Sequence, residues 1–187
     1  MLPGYVYPFT TNRDGARIPD EFSLNSENGL FLGLFLAEGN VDVKSGYVGI
    51  TNNSPEIRQF VHDWFESNRI KTIEDTTMNS TGGTTTTVRG FSTVLAKFLD
   101  EICGHGAANK RVPAEAFTAP LDFIKGLLNG YISGDGTLTH NSIESGSASQ
   151  TLTEGITMLL TRLGVFAKMF KTHLKNNNVA TENILPT

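Results

Sequence analysis

Residues Phe31 to Gly39 read FLGLFLAEG, and residues Leu128 to Gly136 read LNGYISGDG. Each stretch closes on a carboxylate followed by glycine. Each helix it belongs to also carries small residues four apart, Gly33 and Ala37 in the first, Gly126, Gly130 and Gly134 in the second. Positions four apart share one helix face, so each segment presents a groove bare of side chains. The first has a second, apolar face in Leu30, Phe31, Leu34 and Phe35, and two faces imply two packing partners. Glu38 and Asp135 stand 97 positions apart, and Pro55 and Leu152, near which two further helices are expected to start, share that offset. Agreement at two places points to an internal repeat and a pseudo-twofold arrangement.

Working outward, Met1 to Asn25 is rich in Pro, Gly, Asp and Arg without a sustained period, and reads as an extended lead-in. Ser26 is placed to cap the helix Glu27 to Glu38. Val41 and Val43, then Ser45-Gly46, then Tyr47, Val48 and Ile50 predict a hairpin. Ser54, Pro55 and Glu56 supply a cap, a proline at the first helical position and an acid in the first turn. Ile57, Phe60, Val61, Trp64 and Phe65 continue that helix as an apolar stripe to about Asn68. Lys71 to Met78 and Thr84 to Arg89 predict a second hairpin, and Ser92 to Ile102 a third helix stopped by Gly104. The pattern then restarts. A helix opens at Pro120 and Asp122, a hairpin surrounds Leu138 and Ala148, a helix spans Thr153 to Leu163, and a strand runs from Val165 to Phe170. The expected fold class is α+β, with two αββαββα-type repeats and the second lacking its last strand and helix. The division is 1–25 lead-in, 26–118 first repeat and 119–187 second, truncated repeat.

The chain has 187 residues, 39% apolar and 18% charged, the composition of a folded domain or two fused repeats. Its longest apolar stretch, Leu30 to Ala37, is far shorter than the roughly 20 residues that span a bilayer. No basic-then-apolar leader opens the sequence, so an intracellular location, cytoplasmic or nuclear according to the host, is expected. The single Cys103 excludes an internal disulfide and a thiolate metal site. A net charge of −4 argues against indiscriminate polyanion binding, so any nucleic-acid surface must be local. His62, His105, His140 and His173 are scattered without a zinc spacing, and neither Gly104-His105-Gly106 nor Gly134-Asp135-Gly136-Thr137 is followed by the Lys-Ser/Thr of a phosphate loop.

An acid at a helix C-terminus faces the negative end of the helix dipole, where Lys or Arg would be favoured. If the two bare grooves pack together, Glu38 and Asp135 emerge side by side and also repel each other. A divalent cation would relieve both terms. Two carboxylates with neighbouring backbone carbonyls make an all-oxygen site suited to Mg²⁺, and phosphodiester hydrolysis suits such a site. The competing reading is structural: the glycines only permit close helix packing, and each acid is a solvated helix end.

FLGLFLAEG and LNGYISGDG resemble the first and second LAGLIDADG, or dodecapeptide (DOD), motifs. Asn109-Lys110-Arg111-Val112-Pro113 resembles a basic-then-proline block in the endonuclease domains of inteins, and Leu160 to Ala167 (LTRLGVFA) resembles their block after the second motif. The resemblance covers about residues 18 to 187 and implies a two-repeat homing endonuclease: a saddle of two four-stranded sheets over a DNA major groove, with the motif helices at its centre. It implies Glu38 and Asp135 as catalytic acids, and Lys110 as a basic residue near the scissile phosphate. It further implies Mg²⁺ or Mn²⁺ held by Glu38, Asp135 and the carbonyls of Ala37 and Gly134. Strand side chains would read double-stranded DNA, the candidates being Lys44, Tyr47, Lys71, Arg89, Lys168 and Lys171. The chain lacks splice-junction residues, so the endonuclease part of an intein, alone or within a longer host polypeptide, is the expectation. The alternative is a catalytically inactive or degenerate DNA- or RNA-binding remnant of the same fold.

Overall fold

In a computed structural model, residues 5–6, 18, 21–78, 82–171 and the backbone of 182–186 are described. Two antiparallel residue pairs join β1 (Tyr5–Val6) to β2 (Glu21–Phe22). The lead-in therefore contributes to the fold: Ile18, Phe22 and Leu24 are buried in the core. Helix α1 (Ser26–Glu38) is capped by Asn25, whose side chain accepts from the Asn28 N–H at 2.8 Å, rather than by Ser26. Ser26 is instead the first helical residue.

Strands β3 (Gly39–Asp42) and β4 (Tyr47–Thr51), helix α2 (Pro55–Ser67), strands β5 (Thr72–Met78) and β6 (Thr84–Phe91), and helix α3 (Thr93–Cys103) complete the first repeat. The four strands form one antiparallel sheet in the order β3-β4-β6-β5. Ser54 caps α2 and Ser92 caps α3, and Gly104 ends α3 at φ 86°. That left-handed conformation is one glycine adopts without a Cβ penalty.

The α2 and α3 side of the sheet is the core side. Val48, Ile50 and Val88 are buried there, and a Cβ at Gly90 would run into the Phe65 ring. Phe31 stacks on Trp64 with ring centroids 3.5 Å apart, and Phe65 meets Phe31 edge-on at 5.4 Å. The indole N–H of Trp64 donates to Asn28 at 2.9 Å, so the buried ring leaves no polar atom unpaired. The opposite side of the sheet carries Asn40, Tyr47, Thr51, Ile73, Asp75, Thr85, Thr87 and Arg89, as strand alternation and register require.

A connector with two 3₁₀ turns, Ala107–Asn109 and Ala114–Thr118, leads to α4 (Leu121–Asp135). Strands β7 (Gly136–Leu138) and β8 (Ile143–Ser145) follow, then α5 (Gln150–Arg162), β9 (Ala167–Lys171) and β10 (Glu182–Pro186). Three expectations are corrected. Helix α5 starts at Gln150, capped by Ser149, not at Thr153. The caps Ser54 and Ser149 are 95 residues apart rather than 97, because the stretch from the helix-end glycine to the cap is two residues shorter in the second repeat. The last strand is present: β10 pairs antiparallel with β9, Glu182 opposite Lys171 and Pro186 opposite Ala167. It also lies beside β8, so the spatial order β7-β8-β10-β9 matches that of the first sheet. A counterpart of α3 is not among the described residues. A cavity of about 80 Å³ is lined by Tyr131, Ile156, Leu160 and Val165. No described helix is long and apolar enough to cross a membrane.

Candidate active site

The two glycine-bearing helices lie side by side and run the same way. A Cβ at Gly29 would strike the Phe123 carbonyl, and one at Gly126 the Ser26 carbonyl; Gly33 is likewise closed by the Leu127 carbonyl and Gly130 by that of Leu30. These contacts are reciprocal under the offset of 97, which makes the helix pair a pseudo-twofold interface. Backbone touches backbone, so even one methyl at its centre has no room. At the end of the pair, a Cβ on Gly134 would lie 2.6 Å from that of Ala37 and 3.6 Å from Cγ of Glu38. The two acids thus leave the interface at one edge.

Electrostatics agree with that placement. Partial burial, then the charge of Asp135, holds the Glu38 carboxyl above the usual range, while Lys110 pulls it back. Asp135 is raised by partial burial and opposed by Lys110. Glu38 lines two clefts. One, of about 340 Å³, also includes Asn40, His105 and Lys110; the other, of about 240 Å³, opens onto Thr51, Asn53, Thr85 and Gly134. The second cleft continues onto the open side of the first sheet.

Lys110 reaches this edge from the connector, but as a buried group, 8% exposed. Its ammonium donates to the carbonyls of Phe35 and Leu36, each at 2.9 Å, and to that of Ala37 at 3.4 Å. It answers the electrostatic question posed by the sequence, since a cation does sit at the α1 C-terminus, supplied from 72 residues beyond Glu38. Burial lowers its pKa to about 8, with Cys103, Glu38 and Asp135 acting in the opposite direction.

Among the expected DNA contacts, Tyr47 and Arg89 share the open sheet side, the guanidinium 5.2 Å from the Tyr47 ring centre. Arg89 is also ion-paired with Asp75. Lys71 is exposed on the same side, its carbonyl accepting from the Phe91 N–H at 2.9 Å. Lys44 is in the exposed β3–β4 turn, its N–H held by Asp42 at 2.8 Å. Lys168 and Lys171 do not share a face: alternation along β9 places them on opposite sides, Lys168 beside the Phe170 ring at 4.8 Å and Lys171 on the side of Ala167. The sequence reading missed Thr51, Asn53 and Thr85 beside Glu38. Thr51 ends β4, Thr85 lies in β6 and Asn53 follows β4 with its side chain bonded to the Thr84 carbonyl and the Thr86 N–H, so their meeting becomes legible only once β4 is known to run beside β6.

Among the described residues no group of three or more His, Cys, Asp or Glu side chains gathers as a metal site. Two raised-pKa carboxylates beside backbone carbonyls nevertheless fit a hard divalent cation, whose remaining positions are ordinarily taken by water or phosphate oxygen.

The LAGLIDADG-like domain family matches residues 25–103 and 122–186. The chain is 30% identical over 168 residues, 89% of its length, to part of the DNA-directed RNA polymerase subunit Rpo1C of Methanocaldococcus jannaschii. It is 26% identical over 163 residues, 85% of its length, to part of the replication factor C small subunit of that organism. It spans only 19% and 8% of those two proteins. Its fold is similar to that of variants of the homing endonuclease I-DmoI, with TM-score 0.63 and 15% identity over 88% of this chain and 89% of that one. It is also similar to full-length DUF199/WhiA from Thermatoga maritima, with TM-score 0.62 and 13% identity over 88% and 51% of the two chains. With both motif helices paired and the family matched across both repeats, the chain belongs to the LAGLIDADG-like domain family.

Proposed function

We propose that this chain is a site-specific double-strand DNA homing endonuclease, associated with an intein, that hydrolyses phosphodiester bonds with a divalent metal. The observation that carries the reading is the meeting of Glu38 and Asp135 at one edge of the glycine-packed helix pair. Support for DNA as substrate comes from relatives of the same fold, since I-DmoI has been solved in complex with DNA and Mn. Support for an intein comes from the way related sequence occupies a small part of two differently named proteins.

Glu38 and Asp135, with the carbonyls of Ala37 and Gly134, are the groups that would hold Mg²⁺ or Mn²⁺. Such an ion, when bound, makes water a better nucleophile and offsets charge developing on phosphorus. The chain's own residues supply the rest. The two carboxylates fix the reacting edge, the helix pair holds that edge in place, and the Thr51–Thr85 cleft leads to the open sheet side where bases would be read. The test is a plasmid carrying the uninterrupted insertion site, incubated with Mg²⁺. Double-strand cleavage is expected, reduced about a hundredfold or more in Glu38→Gln and in Asp135→Asn. Cleavage that persists in both variants, or without metal, refutes the reading.

One observation favours a second reading, a binding protein that does not cut. Lys110, the basic residue expected near the scissile phosphate, spends its donors on three carbonyls. Salt-sensitive retention on the same plasmid without nicking in Mg²⁺ or Mn²⁺ would select that reading.

A further inference from the structure

Gly104-His105-Gly106, the loop that follows α3, forms one wall of the 340 Å³ cleft beside Glu38. Both glycines have positive φ, 86° and 75°, so the chain turns sharply on either side of the histidine. The loop is tied down at three points. A Cβ at Gly104 would strike the Asn109 carbonyl, the His105 carbonyl accepts from the Asn109 side-chain amide at 3.0 Å, and the Arg111 N–H donates to the Cys103 carbonyl at 2.8 Å. The ring is held too: Nδ1 of His105 donates at 2.7 Å to the carboxylate of Asp100, in the last turn of α3. An ionised carboxylate only accepts, so the Nδ1 proton is fixed and Nε2 is the nitrogen left to exchange one. The imidazole is 74% exposed, so water reaches it. Among the described residues that line this cleft, three side chains ionise: Glu38, Lys110 and His105. Glu38 is committed to the cation in the metal-site reading, and the ammonium of Lys110 is a donor bonded to three carbonyls. That leaves His105 to accept a proton.

We propose that His105, oriented by Asp100, is the general base of this cleft and activates the water that attacks the DNA phosphodiester. This rests on the nuclease reading above and adds the proton acceptor that it lacks. In the step, Nε2 takes a proton from water as the water oxygen forms its bond to phosphorus. The bond from phosphorus to the departing sugar oxygen breaks, the electron pair stays on that oxygen, and solvent water supplies its proton. The imidazolium then returns its own proton to solvent. While charged, it keeps its Nδ1–H on the Asp100 carboxylate, which offsets the charge gained. Asp100 touches no substrate and is a positioning residue. An exposed pair of this kind contributes little to stability, so variants at either position are expected to fold.

Two measurements on the full chain test this. ¹⁵N spectra of the imidazole rings, recorded without DNA or metal, should show neutral His105 with its proton on Nδ1 and Nε2 bare; in Asp100→Asn the proton should move to Nε2. This tautomer is read on the parent protein and needs no variant to fold. On the insertion-site plasmid with Mg²⁺, His105→Ala should cut about a hundredfold more slowly than the parent, and free imidazole should restore part of the loss. Asp100→Asn should also lose rate, without imidazole rescue, because its own ring still fills the place. A proton on Nε2 in the parent, parent-like cutting by His105→Ala, or a loss that imidazole does not repair overturns the general base and leaves the nuclease standing. A parent protein that binds the plasmid and does not cut it overturns the nuclease reading, and the base falls with it.

Discussion

Glu38 and Asp135 each stand at the negative end of a helix and beside a group of their own sign. An acid whose pKa is higher in the folded than in the unfolded chain binds its proton more tightly when folded. Its stabilising contribution is therefore present at low pH and is lost as pH rises through the unfolded and then the folded pKa. In the ionised state and without metal, both acids oppose folding. Glu38→Gln and Asp135→Asn should each melt about 1–3 °C above the parent at pH 7 in chelator, with the gain shrinking toward about pH 4. Calorimetry across that range decides it, and a variant that melts lower at pH 7 contradicts the electrostatic account. Lys110 carries the opposite sign. Its pKa falls from 10.5 to about 8, so the native protein releases the proton before the unfolded chain does, and stability contributed by this group rises with pH between those values. A ¹³Cε titration of Lys110 should show a midpoint near 8; one near 10.5 would mean that the ammonium is solvated and not held by the α1 carbonyls.

The α1–α4 pair is the element on which the acids depend. Gly33→Ala and Gly130→Ala each thrust a methyl into the backbone of the facing helix, and each should cost about 1–3 kcal/mol in chemical denaturation. Gly134→Ala is a different experiment. Its methyl would meet side chains rather than facing backbone, crowding the Ala37 Cβ and touching Cγ of Glu38, at the rim of the pair and next to both acids. A smaller stability loss with a larger loss of cleavage is therefore expected, and an unchanged cleavage rate would show that the acids tolerate a wider spacing. Much of this element was legible in advance, because small residues four apart and a terminal acid leave a periodic mark in the sequence. So did the caps Ser54 and Ser92, each ahead of an apolar stripe. Helix α5 was read three residues late because Gln150 and Thr151 carry no apolar period, while Ser149 is an ordinary-looking serine until its hydroxyl is found accepting from the Leu152 N–H. Strand β10 leaves little mark in the sequence, because Glu182–Pro186 follows an Asn-rich stretch and its identity as a strand comes from pairing with β9 and lying beside β8. The engagement of Lys110 was beyond the sequence altogether: residue type marks a cation, but only the fold shows which carbonyls lie within its reach.

Across the whole molecule a net charge of −4 sets a problem for any DNA partner, since phosphate contacts supply most of the sequence-independent affinity. The open side of the β3-β4-β6-β5 sheet is accordingly more polar than basic. It offers hydroxyls and amides for base edges, Thr51 and Thr87 already sharing a hydrogen bond at 2.7 Å, and its central arginine is partly neutralised by Asp75. If this face meets DNA, Asp75 restrains affinity. Asp75→Asn should then tighten binding to the insertion-site plasmid and steepen the dependence of log K on log salt by about one unit, as one more cation engages phosphate. Lys71→Ala, on the same side, should make that slope shallower by about one unit. Lys171→Ala should leave it unchanged, because alternation puts that side chain on the α5 side of β9. Mobility-shift titrations of the three variants across a salt series separate the faces. A slope that follows Lys171 and ignores Asp75 and Lys71 would place the DNA on the helix-covered side and remove the first sheet as a reader.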